Sequence, residues 1–345
     1  MNRLFTRKRV VAVFAAAAVM ISALVIAGCG QQKAAKGPIP IKIGYSPAVC
    51  NASLFVAYEK GFFEEEGLAP GMVQVDAAHI SDAVGAGQVD AFQGLASKLV
   101  QPLNNGLPAK VVVGIHTGCV RLLVPKDSDI KTVADLKGKK IGVPGLADAG
   151  TIIAKRALSR EGIGVTDKNL EVEFSVFSRN DLPQALQKGA VDAIAVGDPV
   201  GPIAIEQYGL RTIIDTAKTE PFASEYCCVG LLTSKFAGEN PEAAAKFVRA
   251  IEKASAWVQK HPEEAAQLEL DKKYVSGDVK MNASLIKSYN YNPSVQGGLN
   301  AIRDVARELA AIGLIPENTD PEKFMKEHSA TFDGVPDAPD PNSIP

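Results

Sequence analysis

An α/β fold of two similar lobes is what this sequence predicts, and three observations carry it. Roughly 310 residues follow an apolar leader, more than one compact core usually holds. Short alternating strand patterns are separated by helical ones, which implies βαβ units and open, largely parallel sheets. The chain also echoes itself: Asp82-Ala83-Val84-Gly85-Ala86-Gly87-Gln88-Val89-Asp90-Ala91 parallels Gln184-Ala185-Leu186-Gln187-Lys188-Gly189-Ala190-Val191-Asp192-Ala193. That echo reads either as two related lobes or as a helix–glycine–strand unit recurring by chance.

The elements follow in order. Residues 39–45 alternate like a strand and break at Ser46-Pro47. Residues 52–60 read as a helix with Leu54, Phe55 and Tyr58 on one face, stopped by Gly61. Strands are expected at 73–75, 89–92, 110–115 and 120–124, with a helix near 81–86. The second stretch repeats the logic, with strands at 139–143, 171–177 and 191–196 and helices at 150–160 and 183–188. A strong helix is expected over 240–261, opened by Pro241 and lined by Phe247, Ile251 and Trp257. An amphipathic helix over 300–311 comes next, and the Pro-rich, acidic tail from 334 reads as irregular.

The leader itself has the shape of a secretory signal. Arg3, Arg7, Lys8 and Arg9 precede an apolar run over 10–27. The run ends in Ile26-Ala27-Gly28-Cys29, which resembles the lipobox of bacterial lipoproteins. That resemblance implies cleavage after residue 28, a lipid on Cys29, and a polar tether over 29–38. The competing reading is an uncleaved membrane helix, since about 18 apolar residues can span a bilayer. Lys and Arg number 37 and Asp and Glu 39, and the leader holds basic residues only, so the remainder is acidic. A nucleic-acid binder would need a basic surface, so none is expected as a partner.

Several phrases together resemble the nitrate/sulfonate/taurine-type binding proteins of ABC importers. They are Ala57-Tyr58-Glu59-Lys60-Gly61-Phe62-Phe63-Glu64-Glu65-Glu66-Gly67-Leu68, Thr132-Val133-Ala134-Asp135-Leu136-Lys137-Gly138-Lys139-Lys140-Ile141-Gly142-Val143, and the stretch from Asn240-Pro241-Glu242 to His261-Pro262-Glu263-Glu264-Ala265-Ala266. The resemblance implies a type II periplasmic-binding fold, with a ligand cleft between the lobes and a hinge of two crossing segments. The crossings are expected near Val124-Pro125-Lys126 and over 229–233. Lobe one would comprise 39–126 and 232–345, and lobe two 127–231. The resemblance also implies an exported monomer without cofactor, on the outer face of the cytoplasmic membrane or in the periplasm. Its partners would be a permease and an ATPase.

In such sheets the site lies beyond the carboxyl ends of the strands, where loops meet helix N-termini. That rule selects Cys50, Asn51, His79, Ser81, Leu95, Ser97, His116, Cys119, Asp148, Thr151, Asp198, Tyr226, Cys227 and Cys228. Apart from Cys29, all the cysteines fall in this set. Two readings stand side by side. In one, Cys50, Cys119, Cys227 and Cys228 form disulfides, such as Cys50–Cys119, as an oxidising compartment permits; a Cys227–Cys228 bond would close a strained ring. In the other they line a pocket for a soft, thiophilic ligand, because thiolates favour soft metals.

Other positions point the same two ways. Asp148 precedes a helix N-terminus that would otherwise suit an anion; it either repels an anion there or caps the helix. His79 and His116 read as pocket groups or as structural histidines. Aromatics near the expected pocket are few: Tyr45, Phe92 and Tyr226. The segment Glu225-Tyr226-Cys227-Cys228-Val229-Gly230 resembles the binding proteins of selenocysteine-assisted organometal systems, which implies an organometal cargo such as an organomercurial. Thiamine-precursor proteins of the same fold carry a longer cysteine run, which this pair lacks. A sulfonate, nitrate or thiamine-precursor-like ligand is the alternative cargo.

An enzyme is not expected. No G-x-S-x-G, H-E-x-x-H or spaced C-x-x-C pair occurs. His116 and Cys119, three residues apart, are the remaining candidates for a Cys/His enzyme or a redox lipoprotein.

Overall fold

The computed structural model describes residues 37–340 except residue 77. The leader, Cys29 and the tether up to residue 36 lie outside the described residues, as do 341–345. The strands are β1 (Ile39–Tyr45), β2 (Leu68–Gln74), β3 (Ala91–Leu95), β4 (Ala109–His116), β5 (Val120–Val124), β6 (Lys140–Val143), β7 (Val165–Thr166), β8 (Asn169–Leu170), β9 (Glu173–Val176), β10 (Ala193–Gly197), β11 (Arg211–Asp215) and β12 (Cys228–Thr233). They build two five-stranded sheets, β2-β1-β3-β12-β4 and β11-β5-β10-β6-β9, with β7 and β8 as a separate pair. No helix among the described residues is long and apolar enough to cross a membrane.

The expected α/β architecture with two sheets is present, and each sheet is mixed rather than largely parallel. β1 runs parallel to β3, and β6 runs parallel to both β9 and β10. β12 runs antiparallel to β3 and β4, and β5 antiparallel to β10 and β11. These antiparallel strands are the ones the chain enters on arriving from the other sheet. Their membership corrects the expected crossings. β5 already belongs to the second sheet and β12 to the first. The chain therefore passes between sheets over 117–119 and 216–227, upstream of both expected positions. Buried strands of this kind look alike in either lobe, so local pattern does not say which sheet they join.

Period-two alternation explains how the second sheet is buried on both faces. Along β5, Val120, Leu122 and Val124 pack with Ile141, Val143, Ala154 and Leu158, while Leu123 faces the other way among Leu182, Leu186, Ile194 and Val196. The first sheet packs Phe92, Val111, Val229 and Leu231 against Leu99, Ile302, Val305 and Leu309. The expected stripe on the helix Pro241–Lys260 is buried at Phe247, Ile251 and Trp257.

Two elements extend past their expected bounds for identifiable reasons. β2 begins at Leu68, through Pro70 and Gly71. It is an edge strand, where a missing N–H costs no ladder bond. The expected helix over 300–311 begins earlier, as Val295–Ala311, capped by Ser294 Oγ, which accepts from Gly297 N. Gly297 and Gly298 read as breakers, yet contact demands them. A Cβ at Gly298 would strike the backbone nitrogen of Gly114, and one at Gly297 would strike the ring of Tyr226. The helix Ala96–Asn104 runs through Pro102, which sits in its last turn.

Candidate functional site

A cleft of about 650 Å3 opens where loops from both sheets converge. Its size falls in the range of small-molecule sites, about 300–1,000 Å3. Of the expected residues, Cys50, Asn51, Ser81, Leu95, Cys119, Asp148, Asp198 and Cys228 line it. Apolar walls come from Val49, Val75, Ile80 and Leu99.

Cys50, Cys119 and Cys228 line the cleft at its floor, and Cys227 touches Cys119. Cys119 Sγ stands 2.8 Å from Cys227 Sγ and 4.0 Å from Cys228 Sγ. The ligand atoms of Cys119, Cys227 and Cys228 lie within 4.8 Å of one another, and so do those of Cys50, His116 and Cys228. Cys228 is common to both groups. All four cysteines are free thiols, so neither disulfide considered from the sequence, Cys50–Cys119 nor Cys227–Cys228, is formed. Each sulfur is brought in by a different rule. Cys50 sits in a single 3-10 turn after β1, Cys119 in the first crossing, Cys227 at the end of the second, and Cys228 at the head of β12. Cys119 adopts φ +78°, a left-handed conformation that costs a side chain roughly 1–2 kcal/mol.

His116 sets the charge of this floor. It is fully buried, with Nδ1 2.8 Å from Thr117 O and Nε2 3.1 Å from Cys50 O. Carbonyl oxygens only accept, so Thr117 O fixes a proton on Nδ1, and a second proton on Nε2 would make the ring a cation; Cys50 O there also accepts from Gln93 Nε2 and Tyr291 Oη. Burial works against that charge, but the neighbouring Cys228 sulfur raises the His116 pKa. The Cys228 thiol is correspondingly held well below its usual range, first by accepting from Cys119, then from Cys227 and Cys50, with the His116 charge adding to this. Cys119 shifts the other way, its proton held by Cys227 first and then by Cys228 and Cys50. The floor thus sets one low-pKa thiol, Cys228, among raised ones and beside a histidine whose pKa is raised. With both nitrogens engaged, His116 is suited to hold anionic sulfur rather than to take a proton from it.

The remaining expected residues have other surroundings. His79 is exposed beside Asp82, and Ser97 and Thr151 are buried, with Thr151 Oγ1 donating to Gly145 O. Tyr226 packs in the core of the first sheet and donates from its hydroxyl to Asn292 O. Asp148 does cap its helix, accepting from Gly150 N at 3.0 Å. Its other oxygen accepts from Arg179 Nη2 at 2.7 Å, so its charge is paired. Gly150 is needed there because a Cβ would strike the Ala195 carbonyl.

Sequence reasoning missed Tyr289, Tyr291, Arg179 and Arg121. Tyr289 lines the cleft, stacks on His116 at 5.0 Å between centroids, and donates to Asp198 Oδ2. Tyr291 donates to Cys50 O at 3.2 Å. Arg121 is buried between Asp198 and Asp215; burial opposes its charge, and the two carboxylates outweigh that. The aromatics lining the pocket therefore differ from those expected: Tyr45 and Tyr289 line it, while Phe92 and Tyr226 belong to the first sheet's core. The Tyr289-Asn290-Tyr291 run after a helix was the available signal, but it lies far in sequence from every strand end of its own sheet.

The NMT1/THI5 like family matches residues 51–265. The chain belongs to that family. A protein of Bacillus subtilis described as a putative aliphatic sulfonates-binding protein is 25% identical over 331 residues, covering 89% of this chain and 96% of the relative. An Aspergillus parasiticus relative, described as a 4-amino-5-hydroxymethyl-2-methylpyrimidine phosphate synthase, is 26% identical over 258 residues, 70% of this chain and 72% of its own. Among solved structures, the periplasmic aliphatic sulphonate binding protein of Escherichia coli superposes with a TM-score of 0.69 at 20% identity, covering 83% of this chain and 97% of the other. That likeness establishes the periplasmic-binding fold expected from the sequence.

Proposed function

We propose that the chain is the extracytoplasmic substrate-binding component of an ABC importer, holding a thiophilic cargo, an organometal, at the cysteine floor of its cleft. The observation that carries this reading is the convergence of Cys50, Cys119 and Cys227 on Cys228, with buried His116 beside Cys50 and Cys228. Soft thiolates favour soft metals, and the Cys228 pKa is lowered towards the anion that such bonding needs. Cys119 supports the reading independently. It occupies a backbone conformation that glycine would adopt without strain, so its sulfur is retained at a conformational cost. The cleft volume is far beyond a bare ion, and its apolar walls suit an organic group attached to the metal.

The family supplies the transport setting: a cleft between two sheets, export, and delivery to a permease driven by an ATPase. A lipid on Cys29 would hold the monomer at the membrane. Nucleic acid and a resident cofactor have no place in this reading. Catalysis is disfavoured because His116 has no free nitrogen with which to act as a base for a cysteine.

Thermal-shift titration of the reduced chain tests the proposal, using phenylmercury, Hg2+, Zn2+, taurine, nitrate and a thiamine pyrimidine. A ligand that binds the folded state raises the midpoint. The expected result is an upshift with the thiophilic compounds that is lost when Cys227 and Cys228 are both changed to Ser. A shift with taurine, nitrate or the pyrimidine that survives those changes would overturn the organometal reading and return the cysteines to a structural role.

A further inference from the structure

The two crossing segments meet through their sulfurs. Cys119 ends the first crossing and Cys227 ends the second, and their Sγ atoms are 2.8 Å apart across 108 residues of sequence. That is closer than either sulfur needs to be for packing, and it pairs two cysteines that the sequence reading placed in different disulfides. The backbone is pinned on both sides. Cys227 N donates to His116 O at 3.0 Å, and Cys119 O accepts from Asp198 N at 3.0 Å. Cys119 and Cys228 line the cleft, and Cys227 is partly exposed, so an oxidant has access from the ligand side.

We infer that Cys119 and Cys227 form a reversible disulfide that switches the cleft off. The inference rests on the thiol-floor reading above and adds its regulation. The reaction is thiol–disulfide exchange with a low-molecular-weight or protein disulfide of the exported compartment. Cys119 passes its proton to the Cys228 sulfur 4.0 Å away and attacks the external disulfide, releasing one thiol and leaving a mixed disulfide. The second thiol displaces the remaining half, so the incoming disulfide is reduced to two thiols as the Cys119–Cys227 bond forms. Two consequences follow from position. The bond removes two of the sulfurs that would hold a soft cargo. It also ties together the segments about which a two-lobed binding protein hinges, so opening and closing are stiffened in the same event.

The test uses the whole chain, purified in detergent and reduced, then exposed to oxidised glutathione. The expected result is the loss of two thiols and, in an unreduced digest, a link between the peptide carrying Cys119 and the peptide carrying Cys227 and Cys228. Fragmentation between Cys227 and Cys228 assigns the partner on the natural chain, without any variant. The link should also persist in Cys228→Ser and vanish in Cys227→Ser. A Cys227–Cys228 ring, a bond to Cys50, or four retained thiols would each overturn the inference. Phenylmercury binding is measured before oxidation, after it, and after adding a reductant: present, lost and restored is the expected series. Undiminished binding by the linked form overturns the switch while leaving the thiol-floor reading intact. Absence of binding by the reduced chain overturns that reading, and the peptide map still decides whether the bond forms.

Discussion

Tyr289 reaches from the helical cover of the first sheet to Asp198 of the second, its hydroxyl donating to Oδ2 over 2.7 Å. The same ring stacks on His116, so one side chain touches both the buried imidazole beside the thiols and the carboxylate paired with Arg121. Tyr289→Phe keeps the stacking and removes the bond. A hydrogen bond to a charged group contributes about 1.5–3 kcal/mol, and urea unfolding should show a loss near the lower end, because Arg121 still holds Asp198.

Cys228 belongs to both ligand groups and Cys50 to one. Cys228→Ser is therefore expected to weaken phenylmercury binding more than Cys50→Ser, read by competitive titration of the reduced chain. Equal losses would mean that the two groups do not act as one floor.

Cys119→Gly separates fold from function. Glycine relieves the left-handed backbone strain, while the buried sulfur is lost and the unfolded chain gains freedom. These offset, so stability should stay within about 1 kcal/mol. Phenylmercury affinity should nevertheless fall, measured alongside the unfolding curve.

Arg156 is almost fully buried and joins the helix Ala149–Arg160 to Glu225 of the second crossing and Glu308 of the helix Val295–Ala311. Arg156→Met leaves two carboxylates without that partner. Breaking a buried pair costs about 3–5 kcal/mol; the lower figure is expected here, because Glu225 and Glu308 keep some solvent and Arg160 still reaches both. Denaturant unfolding measures it.

Glu252 gives the chain a pH dependence on the opposite side of the first sheet. Its carboxyl is buried without a hydrogen-bond partner, and burial first, then Asp337, push its pKa from 4.5 to about 8, with Arg249 working against the shift. The folded state therefore holds a proton that the unfolded state releases. This contribution to stability is full below pH 4.5 and is lost as pH rises through about 8. The slope over that window is at most about 1.4 kcal/mol per pH unit. Glu252→Gln should flatten the decline in Tm between pH 5 and 9, and an unchanged decline would assign it to other groups.

Much of the frame was legible in the sequence because it is written in local periodicity. Alternation along β5 and β10, the stripe of Phe247, Ile251 and Trp257, and the strand-end loops carrying Cys50, Cys119 and Asp198 all depend on residues a few positions apart. The rule that sites lie beyond strand ends then brought the cysteines into one neighbourhood, before any contact was known.

Which atoms meet inside that neighbourhood was decided by the tertiary structure alone. The pairing of Cys119 with Cys227, the contact of His116 with Cys50 O, and the arrival of Tyr289 and Tyr291 all join segments far apart in sequence. Those meetings depend on where the chain changes sheet, and a fully buried strand such as β5 or β12 carries no local mark of which sheet it will enter. The sequence determined that the sulfurs would be near a cleft; the crossings, fixed by packing of whole sheets, determined that they would form one floor.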